Sequence, residues 1–149
     1  MDVPPDSSSG TLVAIHLCVG HRVPMRRVDQ VEARGDYGLW GDRHAAPQSD
    51  RQVLLIEQEI LDGFGLPPGA VRENLTTRGV EYNGIAAGAR IRVGAVVLEA
   101  TGPCRPCARM DEIRPGLRAA LRGRRGTLCR VLQGGVVAPG DPVVVSRDG

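Results

Sequence analysis

Ala89-Arg-Ile-Arg-Val-Gly-Ala-Val-Val-Leu-Glu-Ala-Thr-Gly-Pro-Cys-Arg-Pro-Cys107 is the stretch on which the reading of the fold turns. Residues 89–93 and 95–99 are two short apolar, β-branched runs, and Gly94 between them predicts a tight hairpin. Residues 96–101 read as a strand leaving a core, and Gly102 and Pro103 are expected to break it. That places Cys104 and Cys107 at a strand end, where a rigid scaffold presents side chains to a pocket. Arg105 and Arg109 bracket Cys107, and nearby positive charge favours thiolate over thiol.

Working outward, residues 11–17, 28–34, 52–56, 127–132 and 142–146 read as further short strands, and 70–77 as an irregular one. Residues 57–62 predict a short helix with Glu57 and Glu59 on its exposed side. Residues 115–122 predict a second, with Leu117 and Leu121 four apart on one face. The glycines of 35–50 predict a loop, and residues 1–10 a disordered N-terminal tail. Twenty glycines, eleven prolines and two short helices in 149 residues describe a mainly β chain. The expected architecture is one closed β-barrel-like domain over residues 11–146. With one Trp, two Tyr and one Phe, its core must rest on Val, Leu, Ile and Ala.

Composition excludes several function classes. The net charge of +2 and the lack of a long basic run argue against a nucleic-acid or membrane partner. All nineteen basic residues are arginine. Without lysine the chain cannot anchor pyridoxal phosphate as a Schiff base, nor form a GxxxxGK[ST] phosphate loop. Arginine still suits phosphate and carboxylate, through its planar, permanently charged fork. The cysteines at 18, 104, 107 and 129 follow no apolar leader, and no run is long enough to cross a bilayer. A cytoplasmic location with reduced thiols is the expectation. One CxxC, with His16, His21 and His44 at no finger spacing, gives little support for zinc.

Three loop segments share a polar character. Gly41-Asp-Arg-His44 combines carboxylate, guanidinium and imidazole. Arg72-Glu-Asn-Leu-Thr-Thr-Arg78 offers amide, hydroxyls and two arginines, and residues 103–109 bring the thiols. Such groups recognise an anionic, ring-containing ligand. Each also has a purely structural reading: Asp42 as the cap of its turn, His44 as a satisfied loop histidine, and Asn74 as a partner of buried backbone. Asn74 is one of only two asparagines and sits in a strand-like run where asparagine is disfavoured.

The order of the segments is itself informative. Gly41-Asp-Arg-His-Ala45, Arg51-Gln-Val-Leu-Leu55, Glu73-Asn-Leu-Thr-Thr77 and Gly88-Ala-Arg-Ile-Arg-Val-Gly94 come in succession. Thr101-Gly-Pro-Cys-Arg-Pro-Cys107, Gly126-Thr-Leu-Cys-Arg-Val-Leu132 and Pro139-Gly-Asp-Pro-Val143 follow. The succession resembles the MOSC domain, the module named for the C-terminal part of molybdenum-cofactor sulfurase. The resemblance implies a β-barrel that binds molybdenum cofactor (molybdopterin), with Cys107 as the thiolate ligand of molybdenum. It implies pterin and phosphate contacts from Arg43, His44, Arg72, Asn74, Thr76, Thr77, Arg105 and Arg109, with Cys104 as an accessory sulfur. The implied reaction is reductive removal of oxygen from an N-hydroxylated small molecule, with electrons from an external donor protein.

Two alternatives remain open at this point. Cys107 could carry sulfur as a persulfide received from a desulfurase partner, its anion stabilised by the surrounding arginines. The Cys104/Cys107 pair could also exchange dithiol for disulfide, although the chain lacks the βαβ setting that such a motif needs.

Overall fold

The computed structural model describes residues 7–147. β1 (Ser7–Leu17) pairs at its start with β11 (Pro142–Ser146), and further along with β6 (Leu75–Arg78) and β2 (Arg26–Val28). From β11 the ring runs through β7 (Arg90–Val93), β8 (Val96–Pro103), β9 (Thr127–Gln133) and β5 (Val53–Glu57) back to β6, closing a seven-stranded barrel. Its pairs are antiparallel except β5 with β6. A parallel pair needs a crossover, and here α1 (Gln58–Gly63) carries it. A small second sheet joins β10 (Gly135–Val137), β3 (Val31–Arg34) and β4 (Gly38–Leu39). α2 (Arg109–Ile113) and α3 (Leu117–Ala120) follow the cysteine segment.

The hairpin forms as its sequence predicts, with Val93 opposite Val96 across the Gly94 turn. Gly102 and Pro103 do not end β8. A bulge between Ala100 and Gly102 absorbs the irregularity, and both residues stay paired, to Leu128 and Thr127. The expected strand over 28–34 is two strands in different sheets, broken at Asp29 and Gln30. Of 70–77 only Leu75 onward is strand. Three short helices form rather than two. Ser7 to Gly10, expected within the tail, pair with Ser146 to Val143. Residues 1–6 of that tail lie outside the described residues. Among the described residues no helix is long and apolar enough to cross a membrane.

Two apolar clusters explain why β5 is buried along its whole length. Val53 and Leu55 belong to the barrel interior with Leu12, Ile15, Ile91 and Val131. Ile56, on the other face, packs with Leu61, Val71, Met110, Leu117 and Leu121 beneath the three helices. Each such side chain contributes roughly 1.5–3 kcal/mol through burial. The second cluster also fixes the cysteine segment, because Met110 at its centre is wholly buried and lies one turn beyond Cys107. Gly126 permits the close approach of β9 to β5: it has φ +75°, and a Cβ there would lie 1.8 Å from the Leu55 carbonyl oxygen.

Glu57 departs from expectation. It is 5% exposed rather than on a solvated helix face. Burial pushes its carboxyl above the ordinary value, with repulsion from Glu59 and Glu81 adding, against the backbone N–H groups of Glu57 and Tyr82. Because the folded-state pKa exceeds the unfolded one, the associated stability is present at low pH and is lost as pH rises through the raised value. Glu57→Gln should therefore melt above the wild type at neutral pH. In thermal melts the difference should shrink on acidification toward about pH 4, the ordinary carboxylate value.

Candidate functional site

The loop between β8 and α2 is pinned at several points. The Cys104 amide donates to the Gly126 carbonyl at 3.3 Å, and the Met110 amide to the Cys107 carbonyl at 2.9 Å. Arg125, which sequence reading did not single out, does more. From a buried position its Nη1 donates to the Arg105 carbonyl at 3.0 Å and its Nη2 to the Val71 carbonyl at 3.1 Å. The same Nη1 lies 3.9 Å from Cys107 Sγ, and Arg125 Nε has no hydrogen-bond partner among the described residues. Only its place between Gly123 and the Gly126 turn could have hinted at this role.

The four cysteines are all free, and three are buried. Burial pushes the Cys104 thiol up, while Arg125 and Arg51 act in the opposite sense. Cys129, inside the barrel, is pushed up more strongly by burial, with Glu99 adding. Cys18 accepts a hydrogen bond from Arg72 Nη2 at 3.3 Å. Cys107 alone is exposed. Iodoacetamide at neutral pH should thus alkylate Cys107 quickly and the other three slowly. Peptide mass mapping checks this, and fast modification of Cys104 or Cys129 would contradict it.

A buried polar network joins the two other segments. Asp42 Oδ1 accepts from the Cys18 amide at 2.7 Å and from Asn74 Nδ2 at 3.0 Å. Asn74 Nδ2 also donates to the His16 carbonyl at 3.0 Å, and its Oδ1 accepts the Leu54 amide at 2.9 Å. The network ties the ends of β1, β5 and β6 to the turn carrying Arg43 and His44, which are exposed. His44 N–H donates to Asp42 Oδ2 at 3.0 Å, and its Nδ1 lies 3.7 Å from the same oxygen.

Three expected ligand contacts take a different role. Both Asn74 amide hydrogens are used inside the chain. Thr76 and Thr77 are wholly buried, and their hydroxyls bond to Glu73 Oε2 and the Tyr82 hydroxyl, both at 2.7 Å. These three residues are buried with their polar atoms paired inside the chain, so they hold the scaffold. Arg72 and Arg109, by contrast, share one surface depression with Arg22, a residue the sequence reading passed over. Glu112 edges it and pairs with Arg22 at 2.9 Å. Arg105 is exposed on the cysteine loop and borders the neighbouring depression with Cys104. Arg43 lines a third hollow with Cys18, Trp40 and Asp42. Arg72 links the first of these to the third, its guanidinium bonding Cys18 Sγ and the Val23 and Gly20 carbonyls.

A closed barrel that presents one exposed thiol and several surface arginines defines a thiol-bearing β-barrel domain. The MOSC domain profile matches residues 40–144, and the chain belongs to that family. Its fold is similar to the YuaD protein of Bacillus subtilis, with TM-score 0.77 and 21% identity over 93% of this chain and 96% of that one. It is also similar to YiiM of Geobacillus stearothermophilus, with TM-score 0.69 and 24% identity over 89% and 73%. YiiM of Escherichia coli gives 0.66 and 19% over 91% and 69%. Among curated proteins no match to the sequence is found.

Proposed function

We propose that this MOSC protein binds molybdenum cofactor and uses the Cys107 thiolate as a ligand of the metal. The observation that carries the reading is the exposed Cys107 sulfur, held beside Arg125 at 3.9 Å. The donor set suits the group: a soft thiolate matches a thiophilic metal, and Arg72, Arg109 and Arg22 suit its phosphate. Among the described residues no three His, Cys, Asp or Glu side chains gather where a metal would sit. A metal at Cys107 must then arrive with its own chelate, as one bound by a pterin dithiolene does.

Bound there, the cofactor would supply two-electron chemistry, converting an N–OH group with two electrons and two protons to N–H and water, with the electrons coming from an external donor. The chain's own part is to orient the group through Cys107, to neutralise its phosphate with arginine, and to hold the cysteine loop in place through Arg125 and Met110. The test is molybdenum and pterin content after expression in a host that makes the cofactor. Near-stoichiometric metal and pterin support the reading. Clean protein that holds neither, even after incubation with free cofactor, overturns it.

The exposure of Cys107 also favours a second reading, a sulfur carrier. Incubation with a desulfurase would then add the mass of one sulfur to Cys107, and not to Cys104.

A further inference from the structure

A second cleft, which Cys107 does not line, takes no part in the proposed function. A cavity of about 230 Å³ is lined by Glu57, Tyr82, Asn83, Ile85, Pro103 and Arg124. It adjoins a larger cleft of about 710 Å³, and Glu57, Asn83, Gly123 and Arg124 border both. The larger one adds Ser8, Glu59 and Glu81.

Glu57 is more than nine-tenths buried, and the little of it that remains accessible faces these cavities. Its Oε2 accepts the Tyr82 amide at 3.3 Å, whereas Oε1 has no hydrogen-bond partner among the described residues. Ser8 Oγ, on the wall of the same cleft, also lacks one. Buried polar atoms in folded proteins nearly always have partners, so two orphans on one cleft mark a place for an absent donor.

The charges are unbalanced in the same sense. Among the described residues none of Glu57, Glu59 and Glu81 enters a salt bridge. The two arginines that line the cleft do not pair with these carboxylates. Arg147 donates to the carbonyls of Asn83 and Glu81, and the Arg124 guanidinium lies over the Phe64 ring, 5.2 Å from its centroid.

We propose that this cleft is a ligand site for a small organic cation, a protonated amine or guanidinium whose N–H groups donate to Glu57 Oε1 and whose charge offsets Glu59 and Glu81. Three carboxylates against the two guanidinium groups of Arg124 and Arg147 leave the cleft acidic, and the cavity volume suits a ligand of a few heavy atoms with room for an extended tail. Because the site shares no residue with the proposed metal ligand, it stands or falls independently of molybdenum.

Agmatine, which carries a guanidinium and an amine, is the probe for calorimetric titration of the full chain. Binding is expected in wild type, and Cys107→Ser should leave it unchanged. Glu57→Gln keeps an acceptor for the Tyr82 amide and is expected to fold. It should weaken binding by roughly ten- to a hundredfold, as losing a charge-assisted hydrogen bond does. Glu81→Gln, at an exposed position, should weaken it less and guards against any folding defect in the first variant. No binding of agmatine at millimolar concentration, equal affinity in Glu57→Gln, or competition by acetate would each overturn the proposal.

Discussion

Cys107→Ser should give a folded domain that retains far less molybdenum. The side chain is exposed, and among the described residues its only polar contact is the 3.9 Å approach of Arg125, so the substitution removes little packing. The melting temperature should stay close to wild type, since an exposed substitution of this kind changes stability by about 0.5 kcal/mol or less. Oxygen is a harder donor than sulfur, and losing the thiolate should lower metal occupancy roughly tenfold or more, at least the loss that outer-shell changes produce. Cys104→Ser should behave in the opposite way. That thiol is 4% exposed, so serine there buries a more strongly polar hydroxyl, with a lower melting point and a smaller loss of metal. Elemental analysis and thermal melts on the two variants separate ligand from packing. A Cys107→Ser protein that unfolds would make Cys107 a core residue.

Asn74→Ala should be the most damaging single change to stability outside the apolar core. It removes three hydrogen bonds at once and leaves the Leu54 amide and the His16 carbonyl buried without that partner. Each orphaned group costs about 1–3 kcal/mol, so a loss of roughly 3–5 kcal/mol is expected in urea unfolding. Asp42 would keep the Cys18 amide but lose its link to β6, freeing the turn that carries Arg43 and His44. Asn74→Asp should be worse than alanine, because it sets a second carboxylate against Asp42 where a donor had been. A loss below about 1 kcal/mol for Asn74→Ala would show that the network is dispensable.

How much of this was legible in the sequence depends on whether the signal is local. The hairpin around Gly94 was readable because alternation and turn chemistry are local properties. The end of β8 was legible only in part: glycine and proline interrupt its apolar run, but both stay paired to β9, and of the two thiols beyond them only Cys107 is exposed. The split of residues 28–34 was not readable. Val28 and Val31 both suit a strand, and only the partners, β1 for one and β10 for the other, separate them. Glu57 was misread for a related reason. As the last residue of β5 it is buried by Tyr82 and the turn around Gly126, which come from distant parts of the chain.

The site residues divide along the same line. Asn74 was picked out correctly as unusual, but its neighbours show why it is there: it substitutes for backbone pairing at the mouth of a parallel strand pair. Thr76 and Thr77 carry hydroxyls suited to a ligand, but β6 is buried on both faces at these positions. Arg125 and Arg22 were overlooked because arginine is abundant in this chain and neither sits inside a motif. Their roles come from tertiary position, Arg125 bridging Val71 and Arg105, and Arg22 reaching Glu112 across the depression that Arg72 and Arg109 line.

The measurement closest to the central claim is the molybdenum K-edge absorption spectrum of the cofactor-loaded protein, compared between wild type and Cys107→Ser reconstituted to equal metal. The account predicts that one sulfur scatterer is lost from the metal's first shell in the variant. Superimposable spectra would mean that molybdenum sits in this protein without Cys107, and the assignment of its ligand would be wrong.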